Sequence, residues 1–522
     1  MLIESNFNFK DLFVLDMANN HQGDIEHGYR IIDEHSKIVN KHNVRAGIKF
    51  QFRDLPNFVH KFEQENPTNK HVPRFLSTML GYDDYHKMVE RVRDNGLLSI
   101  CTPFDEKSVD EIISIGFDVI KIASCSAKDW PLLQAVSESG LPIIASTGGL
   151  NQNEVDDLVS FLNHRACDFA LMHCVSIYPT PDADCNLLNV QTFSKRYPKV
   201  TIGWSTHEPP DEEFHVAMAS SLGARMFERH IGVATDDIVL NKYSSNPAQC
   251  SNWISAYLKA REILGSPYRN NLTKLEKDSI DGLKRGVFLK ADILKPREIS
   301  IDDVYFAFPC SEGQISSSDF EKIGKLNSGM KADMPLMLSD YEAKENPDKK
   351  YEMILKKAIH EVKAELSLAG VTLNHEFKTE YSHHHGIENF LEVGIVLITV
   401  VNREYAKKIL IQLKEQRHPL HMHKLKEETF LVIRGELVIE LDGEEKILKP
   451  GNQITVPPGI WHKFHTDTGV VFEEISTTAF PNDSVYRDKN INKLSSSQRK
   501  TIVDHWGRFQ IDEQLRKLAK AN

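Results

Sequence analysis

Two lysines and four hydroxyl residues recur in or directly after short apolar runs in the first half of the sequence. Lys49 lies in the run 47–51 and Lys121 in the run 119–124. The hydroxyl residues at comparable positions are Thr102, Ser124, Ser146 and Ser205. Ammonium groups and hydroxyls are the donors that a bound phosphate needs. The set therefore predicts an anion site, although either lysine alone could equally be a solvated residue on a rim.

Two histidines end the last two of these runs. His207 closes the run 201–207 and His230 closes the run 226–230. Imidazoles on neighbouring strands can ligate one divalent ion. The alternative is a pair of hydrogen-bonded structural histidines. Because His207 and His230 follow strands of the same predicted barrel as the lysines and hydroxyls, we favour the interpretation as ion ligands.

A second group of chemically active residues lies near the C-terminus. His421, His423, Glu428 and Gly435 follow the spacing HxHx4Ex6G, and residues 451–462, ending in His462, follow Gx5PxGx2H. The two spacings resemble the two cupin motifs. Alternate residues of a strand face the same way, so His421 and His423 both point into the expected cupin barrel. Three histidines and a carboxylate suit a divalent transition metal such as Mn²⁺, Fe²⁺ or Zn²⁺. The alternative is a cupin pocket that holds no metal.

The elements that must position the first group form a repeat of eight strand-like runs. They cover residues 13–16, 47–51, 98–103, 119–124, 143–148, 170–174, 201–207 and 226–230. Helix-length segments such as 106–116 and 153–165 separate them. Eight strand–helix units predict an α/β chain with a (β/α)8 TIM barrel, whose active site lies at the C-terminal strand ends.

The rest of the chain predicts smaller domains. We expect the barrel over residues 1–280, its last helix running over 253–264, and a small β domain over 281–342. A linker helix over 343–374, with Gly370 as its cap, leads to a cupin β-barrel over 375–482 that contains a hairpin turn at Asp442-Gly443. The polar tail 483–522 predicts one closing helix.

Composition excludes several classes of function. The chain has 522 residues, 41% of them hydrophobic, and a net charge of −11, which argues against nucleic-acid or membrane-surface partners. No segment approaches the roughly 20 apolar residues of a membrane span, so the expected location is cytoplasmic. The seven cysteines contain no CxxC pair, which argues against disulfides and thiolate zinc sites.

The first half of the sequence resembles the sialic acid (N-acetylneuraminate) synthase family. The motifs that carry the resemblance lie, in the family's order, at residues 20–23, 48–51, 99–104, 121–124, 145–149, 171–181, 203–207 and 227–230. The small β domain is more weakly similar to that family's antifreeze-like (SAF) domain. The resemblance implies a domain-swapped homodimer in which the SAF domain covers the partner's barrel.

The resemblance also implies a reaction, the condensation of phosphoenolpyruvate with an aldose to a 3-deoxy-2-ulosonic acid and phosphate. Lys49, Thr102, Lys121, Ser124, Ser146 and Ser205 would bind phosphoenolpyruvate. His207 and His230 would hold Mn²⁺ or Mg²⁺, which would polarise the aldehyde oxygen. Asp16, Tyr178, Asn241 and Lys242 would contact the acceptor sugar. The catalytic set would be Lys49, Lys121, His207, His230 and Asp16.

The sequence departs from the family in the acceptor half of the site. Asp16 stands where the family has glutamate, Leu240 stands where an acidic residue is expected, and Phe308 stands where an arginine precedes a turn. The residues for phosphoenolpyruvate are all kept. We therefore expect an acceptor other than N-acetylmannosamine alone.

The run 418–430 resembles metal-dependent sugar-isomerase cupins of the lyxose isomerase kind. The resemblance implies that the cupin isomerises, epimerises or presents the sugar. Alternatives are a non-catalytic sugar-sensing cupin and a non-enzymatic scaffold that binds sugar. His383, His384 and His385 are adjacent and cannot all face one ion, so we interpret them as a loop at the pocket edge.

Overall fold

A computed structural model of the protein describes residues 7–266, 272–343, 347–373, 377–480 and 483–504. The side chains of residues 347–353, 496–497 and 503–504 are outside that description. The chain forms two compact units, Met1–Asn271 and Leu272–Asn522. Within the described ranges, no helix is both long and apolar enough to cross a bilayer. Each cysteine is a free thiol.

The first unit is the predicted closed barrel of parallel strands. Its strands are β1 (Leu12–Asp16), β2 (Arg45–Phe52), β3 (Leu98–Pro103), β4 (Val119–Ile122), β5 (Ile143–Ser146), β6 (Phe169–Cys174), β7 (Thr201–Thr206) and β8 (Met226–His230). Each strand pairs with the next, and β8 pairs with β1 to close the barrel. All eight apolar runs of the sequence are strands of this barrel.

Helices alternate with these strands. They are α1 (Ile25–His42), α2 (Leu55–Phe58), α3 (Lys61–Glu65), α4 (Val72–Ser77), α5 (Tyr82–Asp94), α6 (Glu106–Ile115), α7 (Trp130–Glu138), α8 (Gln152–His164), α9 (Leu188–Arg196), α10 (Phe214–Ser221) and α11 (Pro247–Leu264). Helix α11 begins six residues before the predicted start, because Asn246 accepts a hydrogen bond from Gln249 N and caps the helix there.

The alternation of side chains along the strands separates the core from the site. Val14, Ile100, Ile144 and Met226 fill the inside of the barrel, while neighbours such as Ile48 and Phe50 pack outward in the larger core cluster. The inward phase also carries polar residues at the C-terminal strand ends. These are Asp16, Lys49, Thr102, Lys121, Ser146, Ser205, Glu228 and His230. The polar residues therefore share one end of the barrel.

The second unit begins with a small β region. Helix α12 (Lys274–Asp281) lies within the expected barrel range but belongs to this unit. Two two-stranded sheets follow, formed by β9 (Gly286–Leu289) with β10 (Val304–Ala307) and by β11 (Ile323–Leu326) with β12 (Tyr341–Ala343). The likeness of this region to the SAF domain stays a prediction.

The expected linker helix is part of the cupin fold. Helix α13 (Pro347–Leu368) ends before Gly370, which has a φ of 66° and so adopts the left-handed conformation of a helix cap. Its residues Leu355, Ile359 and Val362 belong to the same buried cluster as Phe390 in the cupin. The helix therefore does not act as a separate linker.

Antiparallel strands form the cupin in two sheets. They are β13 (Lys378–Ser382), β14 (Ile395–Asn402), β15 (Tyr405–Gln412), β16 (Arg417–His423), β17 (Glu428–Gly435), β18 (Leu437–Leu441), β19 (Glu444–Leu448), β20 (Gln453–Val456), β21 (His462–His465), β22 (Val470–Thr477), β23 (Ser484–Tyr486) and β24 (Lys500–Asp504). One sheet has the order β20-β17-β22-β15-β14-β13-β24, the other β19-β18-β21-β16-β23.

The turn between β18 and β19 agrees with the sequence, whereas the segment after residue 482 differs from the expectation. Asp442 and Gly443 have φ values of 47° and 94° and join β18 to β19, as the Asp-Gly pair predicts. The segment after residue 482 supplies strands β23 and β24 and two short helices, α14 (Lys489–Lys493) and α15 (Ser496–Arg499). The cupin sheets thus extend into the segment where one closing helix was expected.

Candidate functional site

The C-terminal end of the barrel holds a buried cluster of charges around Lys49. Its Nζ lies 2.8 Å from Asp16 Oδ2 and 2.9 Å from Glu228 Oε1, and all three side chains are buried. Burial opposes the charged form of Lys49, but the two carboxylates outweigh burial and raise the pKa of the ammonium above its ordinary value. Lys49 is therefore held as a cation inside the barrel.

Lys121 contacts the second oxygen of the same carboxylate. Its Nζ lies 3.5 Å from Glu228 Oε2 and donates a hydrogen bond to Ser146 Oγ. Burial lowers the pKa of Lys121 more than Glu228 raises it. Burial would raise the pKa of Glu228, but Lys121 and Lys49 hold it well below its usual range. Glu228 thus joins the two predicted lysines, and Asp16 balances the remaining positive charge.

The four predicted hydroxyls lie at or directly after the ends of four strands. Ser146 accepts the hydrogen bond from Lys121, and Ser205 Oγ donates to Glu228 Oε1 at 3.2 Å. Thr102 is buried, and its Oγ1 has no hydrogen-bond partner among the described residues. An unpaired buried hydroxyl costs about 1–3 kcal/mol. The Thr102 hydroxyl is therefore available to a bound ligand.

The turn after β5 approaches Ser124 so closely that only glycine fits. Gly148 N donates to Ser124 Oγ at 3.1 Å, and a Cβ built on Gly148 would lie 2.6 Å from that oxygen. A side chain at residue 148 would push the serine away. The glycine keeps a backbone amide beside the predicted phosphate-binding hydroxyl.

His207 and His230 face each other with their ring centroids 5.4 Å apart. His207 Nδ1 donates to Val175 O at 2.9 Å, which leaves the Nε2 lone pair free, and His230 Nδ1 lies 3.3 Å from Asp16 Oδ2. Burial lowers the pKa of both imidazoles, that of His207 to about 3. Neutral imidazole is the form that binds metal ions. The pair fits two ligands of an ion, and within the described chain no third ligand completes a group of three here.

The residues predicted to contact the acceptor sugar differ in their exposure and in their partners. Tyr178 is 50% exposed, and its ring lies 4.1 Å from that of His207. Asp16 is buried, with Oδ1 accepting from Ala18 N at 3.0 Å and Oδ2 bound to Lys49. Tyr178 is therefore open to a ligand beside His207, whereas the Asp16 carboxylate is bound to Lys49.

The loop after β8 contacts the histidines through Tyr243. The Tyr243 ring lies 5.2 Å from those of His230 and Tyr178. Asn241 Oδ1 accepts from Tyr243 N at 3.1 Å, and Lys242 is exposed. Tyr243 thus contacts the rings at this end of the barrel, and Asn241 shapes the turn that presents it. The contact of Asn241 and Lys242 with an acceptor sugar stays a prediction.

The second unit holds the predicted group of four metal ligands. Ligand atoms of His421, His423, Glu428 and His462 all lie within 4.8 Å of one another, and all four residues are buried. His421 and His423 share one face of β16, and His421 is paired with His462 on β21. Glu428 begins β17 in the other sheet, so the group joins both sheets of the cupin.

Backbone carbonyls orient two of these histidines. His421 Nδ1 donates to Pro419 O at 3.0 Å, and His462 Nδ1 donates to Ile460 O at 3.1 Å. His462 Nε2 and Glu428 Oε2 lie 3.3 Å apart, yet neither has a hydrogen-bond partner among the described residues. A cation between two such acceptors satisfies both. The group therefore fits a divalent ion.

Asp483 supports this group from outside the cupin motif. Its Oδ2 lies 3.3 Å from His423 Nδ1. Its carboxylate also accepts hydrogen bonds from the backbone amides of Lys424, Leu425 and Lys426, the loop between two ligands. One carboxylate thus fixes both the ring and the loop.

A cavity of about 80 Å³ is lined by three of the four ligands, His421, His423 and Glu428. Its lining includes Glu380, Lys408, His418, Lys426, Glu428, Glu474, Tyr486 and Lys500. Lys426 contacts Glu428 and lies 3.1 Å from Glu474 Oε1, which Lys408 Nζ approaches at 2.9 Å. Burial opposes the charge on Lys426, but the two glutamates raise its pKa. The cavity thus places candidate metal ligands next to side chains that can donate or accept a proton.

The adjacent histidines 383–385 turn to separate partners. His383 Nε2 lies 2.9 Å from Thr501 Oγ1, His384 Nε2 lies 3.1 Å from His418 Nε2, and His385 is exposed. They occupy a turn after β13. They do not converge on one point, in line with the interpretation as a loop.

Three residues that complete the two sites are not predicted from the sequence: Glu228, Tyr243 and Asp483. Glu228 had a signal, because it lies two residues before His230 on β8 and must face the same way. Tyr243 lies in a loop, and Asp483 lies beyond the second cupin motif. Neither has a spacing that points to its contact.

Two family comparisons agree with this division of the chain. A model of the NeuB family matches residues 41–268, and a model of the cupin domain matches residues 409–475. The first range holds most of the barrel. The second holds all four residues of the metal group.

Three similar proteins extend the comparison. The N-acetylneuraminate-9-phosphate synthase of Drosophila melanogaster is 30% identical over 230 residues, covering 42% of this chain and 59% of that protein. The N,N'-diacetyllegionaminic acid synthase of Legionella pneumophila is 26% identical over 348 residues, covering 62% of this chain and 92% of that protein. A solved structure from Chromobacterium violaceum, described as spore coat polysaccharide biosynthesis protein E, is 39% identical with a TM-score of 0.60, covering 64% of this chain and 100% of that chain. By its first unit the chain belongs to the NeuB family, and its second unit carries a cupin domain.

Proposed function

We propose that the barrel condenses phosphoenolpyruvate with an aldose, giving a 3-deoxy-2-ulosonic acid and inorganic phosphate. The observation that carries the proposal is the pair of buried lysines joined by Glu228 beside the unpaired Thr102 hydroxyl. The names of the relatives, N-acetylneuraminate-9-phosphate synthase and N,N'-diacetyllegionaminic acid synthase, support the same class of product.

Lys49 and Lys121 would bind the two anionic groups of phosphoenolpyruvate. Each ammonium has three N–H donors, and Lys49 uses two of them on Asp16 and Glu228. The carboxylates balance the ammonium charges in the free protein, so the site is formed before the substrate arrives. Thr102, Ser124, Ser146 and Ser205 would add hydroxyl contacts to the phosphate.

In the proposed reaction, C3 of phosphoenolpyruvate forms a bond to C1 of the open-chain aldose. The aldehyde oxygen takes a proton and becomes a hydroxyl. Water adds at C2, and phosphate leaves when the bond between C2 and its oxygen breaks. A divalent ion, Mn²⁺ or Mg²⁺, at His207 and His230 would supply positive charge next to the aldehyde oxygen. Tyr178 would pack against the sugar beside His207.

For the cupin, we propose a divalent transition ion at His421, His423, Glu428 and His462 and an action on the sugar, either isomerisation or epimerisation. Both reactions move a proton at carbon next to a carbonyl, which requires an acid and a base. Lys426 and Glu474 line the same cavity as the ligands and can fill these roles.

Phosphate release tests the barrel. Purified protein with phosphoenolpyruvate, Mn²⁺ and a panel of hexoses, pentoses and N-acylated sugars is expected to release phosphate, with the product identified by mass spectrometry. Lys49→Ala and His207→Ala are each expected to slow release about 100-fold, since each removes charge stabilisation. No phosphate above background with any sugar would refute the reaction. Near-full activity in both variants would refute the roles.

Isomer exchange tests the cupin. Sugar incubated with the protein in D₂O is expected to exchange a proton in the NMR spectrum, and His421→Ala is expected to stop it. His465→Ala, on the same strand as His462 but outside the ligand group, is the matched control. A wild type without exchange, and a His421→Ala variant with unchanged condensation, would favour sensing. The domain-swapped homodimer stays part of the proposal, and light scattering measures its mass.

A further inference from the structure

Arg53 is a half-buried cation at the C-terminal end of the barrel that has no carboxylate partner among the described residues. It directly follows β2, the strand that carries Lys49. Its Nε is buried and has no hydrogen-bond partner in the described part of the chain. One Nη donates to Gln51 Oε1 at 3.0 Å. Within the described ranges, most of its five N–H donors thus have no acceptor.

Aromatic rings hold the guanidinium in place. Its Cζ lies 3.6 Å from the ring centroid of Phe104, 4.2 Å from that of Phe75 and 6.0 Å from that of Phe58. Phe104 follows β3, whereas Phe58 and Phe75 come from the short helices α2 and α4. Rings that contact a guanidinium through its face leave the N–H groups of its edge free. The surroundings fix the group without using its donors.

Two carboxylates near this group, Asp54 after Arg53 and Asp105 after Phe104, have other partners. Asp54 Oδ2 lies 3.3 Å from Lys107 Nζ and accepts from Asn57 at 2.6 Å. Asp105 accepts from the backbone amides of Asp54 and Ser108, at 2.9 Å and 2.8 Å. Neither forms a direct ion pair with Arg53: burial lowers the pKa of the guanidinium to about 10, and the more distant charge of Asp105 offsets this only in part. A partly desolvated charge without a counter-ion is unfavourable, so the site is short of one anion.

The end of β2 places Arg53 beside an inward-facing side chain. Lys49 and Gln51 are in the phase that faces the barrel interior, while Phe50 and Phe52 belong to the outer core. Arg53 follows the strand directly and donates to Gln51. At about 3.3 Å per residue, Arg53 lies up to about 13 Å beyond Lys49 along the strand. Lys49 would hold phosphoenolpyruvate, so the carbon chain of the acceptor would extend from there toward the mouth.

We infer that Arg53 binds an anionic group, a phosphate or a carboxylate, on the far end of the acceptor sugar. This inference rests on the proposed condensation and specifies the class of acceptor that the reaction uses. A guanidinium edge matches either oxyanion in a bidentate geometry. It follows that a reaction forming a sugar phosphate or a sugar acid must supply the acceptor.

Steady-state kinetics with paired acceptors tests this inference. Mannose and N-acetylmannosamine are compared with their 6-phosphates and with mannuronate, at saturating phosphoenolpyruvate. The wild type is expected to prefer at least one anionic acceptor over its neutral form by 10-fold or more in kcat/KM. The phosphate and carboxylate arms decide which oxyanion is used. Equal use of neutral and anionic acceptors would overturn the inference while leaving the condensation intact.

Arg53→Met keeps the packing against the rings and removes the charge. It is expected to raise the KM for the anionic acceptor 10- to 100-fold, to leave the KM for phosphoenolpyruvate within 2-fold, and to leave neutral acceptors unaffected. Arg53→Lys should restore part of the loss. Arg45→Met is the matched control, because Arg45 lies at the other end of β2 over the ring of Phe7, at 4.8 Å. A raised KM for phosphoenolpyruvate instead would overturn the assignment.

Calorimetric binding of mannose 6-phosphate and mannuronate separates this inference from the reaction. Binding that Arg53→Met weakens 10-fold or more, in a protein that releases no phosphate with any acceptor, would uphold the anion site and refute the condensation. Binding that is the same in the wild type and in Arg53→Met would overturn the anion site whatever the activity.

Discussion

Glu228 carries the charge balance of the barrel site, since its carboxylate contacts Lys49, Lys121 and Ser205. Glu228→Gln would leave two buried ammonium groups with Asp16 alone. Breaking a buried pair in this way costs about 3–5 kcal/mol. We expect a loss of that size in the free energy of unfolding, measured with urea, and slower phosphate release.

A surface ion pair provides the control for this variant. Glu440 Oε2 lies 2.8 Å from Lys463 Nζ, and both side chains are partly exposed. Glu440→Gln should cost less than about 1 kcal/mol, because solvent screens the pair. Equal losses in the two variants would contradict the role given to Glu228.

Asp483 should affect metal affinity without touching the ion. Asp483→Asn weakens the contact with His423 Nδ1 and the hold on the loop before Glu428. Outer partners of this kind contribute about 10- to 100-fold in affinity. A titration of Zn²⁺ or Mn²⁺ against a chelator measures it. Asp488→Asn is the control, since Asp488 only caps α14, and an unchanged affinity in Asp483→Asn would remove its supporting role.

At the scale of elements, α13 should stabilise the cupin as part of its core. Ile359 is buried in the cluster that includes Phe390 and Val396. Ile359→Ala should lower the free energy of unfolding by about 2–5 kcal/mol, because it leaves a cavity. His360→Ala, on the exposed side of the same helix, should have little effect. Urea unfolding followed by circular dichroism measures both, and equal effects would restore the linker interpretation.

Helix α1 should make the barrel sensitive to acid through His35. Burial lowers the pKa of His35 to about 4, and its Nδ1 donates to Ile31 O at 2.9 Å. Above pH 6.5 the group has no effect. Between pH 6.5 and 4 the unfolded chain takes up a proton that the folded one does not, which costs up to about 3 kcal/mol.

His35→Gln should reduce this loss, because glutamine can still donate to Ile31 O but does not titrate. The measurement is urea stability at pH 7 and at pH 4.5. His164→Gln, at an exposed position at the end of α8, should keep the wild-type dependence. An identical loss of stability in His35→Gln and the wild type would contradict the argument.

The sequence predicts elements well where local and long-range forces agree. The barrel strands are β-branched and buried on both faces, so their runs are continuous, and Asp105 and Gly116 mark the ends of α6. Strands β23 and β24 lie in a polar segment, and only their pairing with β16 and β13 shows them. Such strands depend on partners that no local pattern contains.

At the scale of the whole molecule, the two units should respond differently to metal. The group of four ligands lies in the second unit. A divalent ion at 100 times its Kd stabilises the unit that binds it by about 2.7 kcal/mol. Differential scanning calorimetry should show a shift in the transition of the second unit that His421→Ala abolishes. A shift in the transition of the second unit that persists in this variant would refute binding at the four ligands, whereas the proposed ion at His207 and His230 affects only the first unit.

The sequence predicts those residues of the candidate sites that belong to a motif. The motifs predict His421, His423, Glu428 and His462, and the structure brings them within 4.8 Å. The contacts that complete each site join distant segments, as Glu228 does with Lys49 and Asp483 with His423. Their geometry follows from the closed fold, so a linear pattern does not contain it.

The place of Asp483 in the chain has a consequence for biosynthesis. Every cupin ligand leaves the ribosome before Asp483, which fixes the loop 424–426, and before Tyr486, whose ring stacks on His421 at 5.6 Å. Strand β24 pairs with β13 later still. A nascent chain therefore exposes all four ligands before it can hold them in place. Capture of an ion by these four ligands would therefore have to wait until residues 483–504 have emerged.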